Sequence, residues 1–364
     1  MSFYAEWQGK WASFKAIGYF CSYVPEELLI AAGFNPIRIL PGVTDASLSQ
    51  THLQSYTCYL SRACLHRALM GELDFLSGVI FAHTCDTMQG LADIWLQARP
   101  GTFVETFNFP TVLNSEKAIH YTIAELERLK KRLEDLTGKT IEEESLREAI
   151  KLVNKKRTLL QSLASKREKL PASLYFRIVN QALTMPVEEA INFLETVGLE
   201  AEEKPQDKIR ILLAGSTLDD MVLVEFVEES GGKIVEDDFC NGTRYFQTLA
   251  DETLPPMEAI ARRLMERPLC PCKFLRTGAY SRSLMEKAYK VQAHGVILIR
   301  QKFCDPWGWE FPLMQSVFRE KQIPLLMVET EQPGAPGPAA TRIQAFLEML
   351  LITRGHPIGH PYSE

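Results

Sequence analysis

Gly78-Val-Ile-Phe-Ala-His-Thr-Cys85-Asp86 and Gly295-Val-Ile-Leu-Ile-Arg-Gln-Lys-Phe-Cys304-Asp305 share one design. Each is an apolar run of strand length that stops abruptly at a thiol and a carboxylate. A parallel strand buried on both faces reads this way. Ligands of open α/β sheets gather at the carboxyl ends of the strands. Two cysteines at such ends, far apart in sequence, point to a shared metal or redox site in a cleft between two lobes.

Around the first run, the chain alternates strand and helix patterns. Ala16-Ile-Gly-Tyr-Phe-Cys21 reads as a strand from a lobe that starts near Lys15. Val24-Pro-Glu-Glu-Leu-Leu-Ile-Ala-Ala reads as a helix, with Pro25, Glu26 and Glu27 suited to its first turn. Phe34 to Leu40 is the next strand, and Ser55 to Met70 is a helix carrying Cys58 and Cys64. A further helix runs through Met88, Leu91, Ile94 and Trp95. Around the second run the order repeats. Ile209 to Gly215 is a strand, Asp219 to Glu229 a helix, and Lys233 to Cys240 strand-like. A helix near Ser283 to Gln292 feeds the strand ending at Cys304. Ile323 to Glu329 is another strand, and Thr341 to Leu351 a last helix after an exposed loop at Gln332 to Pro338. The expected fold class is α/β: two doubly wound parallel-sheet lobes with a shared metal or redox site in the cleft between them.

Between the lobes, Ser115 to Lys169 is rich in Glu, Lys, Arg and Leu. Leu126, Leu129, Leu133 and Leu136, then Leu146, Ile150 and Val153, follow helical spacing on either side of Thr137-Gly138-Lys139. An antiparallel helical pair fits, acting as a solvated scaffold or dimerisation arm. The expected segments are an N-terminal α/β lobe over 1–114, a helical insertion and connector over 115–205, and a C-terminal α/β lobe over 206–364.

The totals narrow the function classes. With 364 residues, one to three domains are expected, and 46% hydrophobic content is ample for sizeable cores. The net charge is -6, from 46 acidic and 40 basic residues, which argues against general nucleic-acid binding. No apolar stretch reaches the roughly 18 residues of a membrane span. The first ten residues lack the basic start and apolar core of a secretory signal. A cytoplasmic protein is expected, in which the eight cysteines are free thiols or metal ligands.

No Cys-x-x-Cys pair or zinc-finger spacing occurs, so the argument rests on placement. Cys85 and Cys304 end strands where a helix begins, and a helix N-terminus favours thiolate over thiol. Cys58 lies on the helix leading to the first strand, and Cys270 holds the matching place in the second lobe. Cys21 and Cys240 also terminate strand-like runs. Each alone reads as an ordinary buried small residue; six together at element ends read as a site. Cys64, six residues beyond Cys58 on a helix, faces away. Cys272 is separated from Cys270 by Pro271, and either thiol can face the site. Glu26 and His83 are weaker candidates for proton transfer. No Walker, Gly-x-Gly-x-x-Gly or Gly-x-Ser-x-Gly pattern is present.

Several motifs together are familiar. Gly18-Tyr-Phe-Cys21-Ser-Tyr-Val-Pro-Glu-Glu-Leu, Thr84-Cys85-Asp86-Thr-Met, Asp237-Asp-Phe-Cys240-Asn-Gly-Thr-Arg244, Phe303-Cys304-Asp305-Pro and Thr341-Arg-Ile-Gln-Ala-Phe-Leu-Glu resemble the 2-hydroxyacyl-CoA dehydratase / benzoyl-CoA reductase family. The resemblance runs from about residue 15 to residue 351 and implies flavodoxin-like α/β lobes with a helical insertion, and a [4Fe-4S] cluster in the cleft between the lobes on three cysteines, matched here by Cys58, Cys85 and Cys304. It further implies a related partner subunit in a heterodimer, or a homodimer, and an ATP-hydrolysing iron–sulfur activator that injects a low-potential electron. The chemistry implied is one-electron reduction of an acyl-CoA thioester to a ketyl radical in an anaerobic cytoplasm. Cys21, Cys240 and Cys270 exceed the minimal set. With them the chain is similar to the double-cubane branch, whose [8Fe-9S] cluster serves small-molecule reduction. A non-catalytic partner or maturation protein with the same fold is the alternative of another class.

Overall fold

The computed structural model describes residues 4–42, 45–198, 208–331 and 337–353. The first lobe runs β1 (Ala16–Tyr19), α1 (Glu26–Ala31), β2 (Asn35–Arg38), α2 (Tyr59–Leu69), β3 (Leu76–Ala82), α3 (Asp86–Ala98) and β4 (Phe103–Phe107). Four helices follow: α4 (Glu116–Thr137), α5 (Glu143–Ser165), α6 (Ala172–Leu183) and α7 (Val187–Thr196). The second lobe runs β5 (Ile209–Gly215), α8 (Val222–Glu229), β6 (Gly232–Asp238), α9 (Thr243–Phe246), α10 (Pro256–Glu266), α11 (Ala279–Lys290), β7 (Gly295–Gln301), α12 (Asp305–Glu320), β8 (Leu325–Thr330) and α13 (Gly337–Thr353).

Both sheets are parallel and carry the same strand order, β2-β1-β3-β4 and β6-β5-β7-β8. The two-residue period of the strands sorts their side chains onto two covered faces. In β5, Ile209, Ile211 and Leu213 join a core with α6, α8 and α13, whereas Leu212 and Ala214 join one with α11 and α12. In β3, Val79 and Phe81 pack toward α2, α3 and the two tryptophans Trp7 and Trp11, whereas Ile80 and Ala82 pack toward α1, α4, α5 and α10. Apolar residues on both faces explain why these strands read as continuous hydrophobic runs.

The expected helical pair is present, and its ends follow capping chemistry. The Ser115 hydroxyl accepts from the Ala118 N–H, and Gly138 takes φ 67° to close α4. Leu126, Leu129 and Leu133 are buried, while Leu136 falls off the stripe and is exposed. The pair is not simply a solvated arm. α5 carries Lys156 and Arg157 into the interior, where they meet Glu26 and Glu27 of α1. α10 packs against α4 and adds Ala259, Ile260, Ala261 and Leu264 to the core beneath the first sheet.

Other boundaries shift for local reasons. Cys58 precedes α2 and does not lie on it. Gly337 and Pro338 begin α13, where the sequence suggests a loop, since proline suits a first helical turn. The remainder of that expected loop, 332–336, lies outside the described residues. β4, α6, α7 and α10 have no counterpart in the sequence reading, whereas α12 is the helix expected to begin at Cys304. β4 is the edge strand of its sheet and α10 is an insertion between β6 and β7, so neither falls on the strand–helix alternation.

Gly215 ends β5 where the chain turns toward the cleft. A Cβ there would lie 2.6 Å from the Ile299 carbonyl oxygen and 2.5 Å from the Phe239 ring. Backbone cannot yield as a side chain can. Gly215→Ala is therefore expected to lower stability by about 1–3 kcal/mol, seen as a lower denaturant midpoint at unchanged slope.

Candidate metal centre

Cys58, Cys85 and Cys304 each occupy the position directly before a helix, at α2, α3 and α12. Phe303 turns the chain into Cys304 with φ 65°, the left-handed region that non-glycine residues rarely enter. Asp86 and Asp305, the carboxylates of the repeated Cys-Asp, are first-turn residues that complement their helix dipoles. Only the thiols of those pairs are drawn inward.

The three thiols come together. Cys58 and Cys85 lie near enough to Cys304 for their charge to disfavour its thiolate, second only to burial. Backbone N–H groups of the following helices face the sulfurs, from Thr87 and Met88 at Cys85 and from Trp307 at Cys304. The helix starts are expected to favour thiolate, yet burial outweighs them. It pushes Cys85 up to about 12 and raises Cys58 and Cys304 as well. Desolvation at this depth costs more than a few dipoles return. A bound cationic centre reverses that balance, because a coordinated thiol is deprotonated outright.

The second group also converges. Cys21 follows β1, Cys240 follows β6, and Cys270 follows α10. Burial raises the Cys21 pKa, Arg38 and Arg267 oppose it, and Cys240 and Cys270 reinforce it. The Cys272 thiol donates to the Cys270 sulfur at 3.3 Å, which lowers the Cys270 pKa and raises that of Cys272. The groups adjoin one another: Cys21 acts on Cys85, and Cys270 acts on Cys304. Cys64 is fully buried in the same core cluster as Cys58, whose charge reaches it.

Among the described residues, no three or more His, Cys, Asp or Glu side chains close around a single point at the spacing of one metal ion. The donor set is all thiol, the set an iron–sulfur cluster takes, and a cluster places several irons between its ligands. By donor chemistry the residues fit such a group.

A small cleft opens between Tyr59 and the second lobe. Tyr59, next to Cys58, faces Thr217, Asp219, Gln301 and Glu331 of the second lobe. Asp219 accepts a hydrogen bond from the Gly42 N–H across the lobes, and burial lifts its pKa to about 6. Gln301 accepts from the Leu60 N–H at 3.3 Å.

Glu26 is enclosed rather than open to a reactant. It accepts from the hydroxyls of Tyr19 and of Tyr245, the latter at 2.5 Å, and pairs with Lys156 at 3.2 Å. Burial raises its pKa, but Lys156, Arg157 and the hydroxyls more than offset this and hold it at about 2. His83 is half-buried at the end of β3. Its backbone N–H donates to the Phe107 carbonyl, and its own carbonyl accepts from the Lys273 ammonium at 3.5 Å. Sequence reasoning missed the cations around the second thiol group: Arg38, Arg244, Arg267 and Lys273. Arg244 stands within a motif quoted above; nothing in the sequence marks the other three.

The chain matches the family model described as 2-hydroxyglutaryl-CoA dehydratase, D-component, over residues 21–350. It belongs to that family. Among curated relatives it is 27% identical to a benzoyl-CoA reductase polypeptide of Thauera aromatica, one of that enzyme's subunits, covering 95% of this chain and 94% of that protein. It is 27% identical to the (R)-phenyllactyl-CoA dehydratase beta subunit of Clostridium sporogenes, covering 92% of each. It is 26% identical to the beta subunit of (R)-2-hydroxyglutaryl-CoA dehydratase of Acidaminococcus fermentans, covering 94% and 93%.

The Glu26 network yields a signed expectation. Removing one partner of a buried pair leaves the other unpaired, so Glu26→Gln should cost about 3–5 kcal/mol at neutral pH. The folded pKa lies below the ordinary 4.5, so the ion's contribution is present above that value and is lost as pH falls toward about 2. Unfolding measured across that window should show wild type converging on the variant.

Proposed function

We propose that this chain is the iron–sulfur subunit of an ATP-activated 2-hydroxyacyl-CoA dehydratase or aryl-CoA reductase system. It acts with a related subunit, or a second copy of itself, and an ATP-hydrolysing iron–sulfur activator. The observation that carries this reading is the convergence of Cys58, Cys85 and Cys304 from three separate helix starts, in a chain of this family. The relatives' names, dehydratase and reductase subunits, support a catalytic role. Cys58, Cys85 and Cys304 would hold a [4Fe-4S] cluster, which when bound would supply a low-potential electron for one-electron (ketyl) reduction of an acyl-CoA thioester.

The protein's own residues do the rest. Leu60, Phe81, Met88 and Trp307 surround the trio's helix starts with apolar bulk and keep out water. The first-turn N–H groups at Cys85 and Cys304 hydrogen-bond the sulfurs and tune the centre. The cleft lined by Tyr59, Asp219 and Gln301 is the space through which a substrate carbonyl would enter.

A second reading is favoured by one observation. Cys21 acts on Cys85 and Cys270 acts on Cys304, although Cys21 and Cys270 pack against the core under the first sheet, Cys58 and Cys85 on its other face, and Cys304 in the second lobe. Six thiols in one cleft suit a double-cubane [8Fe-9S] cluster and small-molecule reduction.

Anaerobic reconstitution of the full chain tests both. Cys58→Ser, Cys85→Ser or Cys304→Ser should each lose most bound iron and the cluster's EPR signal, while Cys64→Ala keeps them. About four irons per chain, unchanged in Cys240→Ala, support the acyl-CoA reading; about eight, falling in that variant, support the double cubane. Full iron in all three serine variants overturns the site.

A further inference from the structure

The second thiol group is surrounded by more positive charge than the protein's own carboxylates balance. Arg38, at the end of β2, is 1% exposed. It donates to the Cys240 sulfur at 3.0 Å and lies over the Tyr19 ring, and its Nε has no partner. Arg267 is 3% exposed. It donates to the Ser22 hydroxyl at 2.7 Å, next to Cys21, and stacks 4.2 Å from the Tyr23 ring centroid. Its Nε and one terminal nitrogen have no partner. Lys273 follows Cys272 directly, and its ammonium meets only the Phe109 and His83 carbonyls and two aromatic rings. None of these three pairs with a carboxylate among the described residues. Asp238, the nearby acid, is already shared by Arg244 at 3.2 Å and Lys287 at 2.7 Å.

Buried cations without a counter-charge are strongly destabilising, and unpartnered guanidinium N–H groups add to the cost. Such an arrangement persists where an anion occupies the space between the cations. The groups that face that space are thiols.

We propose that Arg38, Arg267 and Lys273 form a fixed cation cage around an anionic iron–sulfur centre on Cys21, Cys240 and Cys270, and that they set its retention and reduction potential. This rests on the six-thiol reading. The three are positioning residues that act on the centre through charge and the Arg38 hydrogen bond. Each electron added makes the centre more negative, so the cage stabilises the reduced state and raises the potential.

The test uses the full chain, anaerobically, with and without reconstituted iron and sulfide. In redox titrations followed by EPR, Arg38→Gln should shift one centre negative by at least about tenfold in the reduction equilibrium, or about 59 mV for one electron. Arg38→Lys should restore most of it. In thermal unfolding the sign should invert. Arg38→Met leaves the metal-free protein as stable as wild type or more so, since it removes an uncompensated charge, yet destabilises the loaded protein. Should Arg38→Gln fail to fold, Lys273→Gln carries the same potential measurement. An unchanged potential with about eight irons retained overturns the cage while leaving the six-thiol reading intact. Equal destabilisation in both metal states also overturns it, by assigning Arg38 to plain packing. A wild-type chain holding about four irons, with Cys240 open to alkylation, removes the six-thiol reading itself.

Discussion

Parallel pairing is the constraint on which the rest depends. When every strand of a sheet runs the same way and every crossover has one hand, all strand-to-helix connections fall on one edge. This chain builds two such sheets with the same strand order. Cys21, Cys85, Cys240 and Cys304 follow β1, β3, β6 and β7 at those edges, and Cys58 enters from the start of α2. No local motif gathers these thiols; topology does. A thiol arrangement assembled this way draws on separate regions of the chain and cannot form until both sheets exist.

Depth then decides the chemistry of the sulfurs. The dipole of a helix start and its free N–H groups favour a negative sulfur, but the trio sits where burial dominates. The second group differs, since guanidinium groups stand against it and one of its thiols donates to another. The two sets of cysteines thus occupy different electrostatic settings, one governed by dipoles and apolar walls, the other by full charges.

How much of this the sequence discloses varies with the range of the interaction. The strand-end cysteines are legible, because an apolar run broken by a polar pair is a local signal. The α4–α5 pair is legible from leucine spacing and Gly138. The inward turn of Lys156 and Arg157 is not. In sequence they lie in a charged stretch like any solvated helix face, and only the distant Glu26 and Glu27 reveal them as buried partners. Arg38 and Arg267 escape for the same reason. An arginine's burial depends on what folds over it, and one polar partner of each lies about 200 or more positions away in sequence. The direction of the thiol shifts is hidden too, because burial depth is a tertiary quantity and the helix starts alone point the other way.

The position of α10 bears on the order in which the protein can be made. Its apolar face completes the core under the first sheet, although its residues are translated after β5 and β6 of the second. A nascent chain that has released β1 to β4 still lacks the helix that covers Leu126, Leu129 and the inner face of β3. The first lobe therefore waits on the second, and during synthesis its exposed apolar surface is a natural substrate for a chaperone.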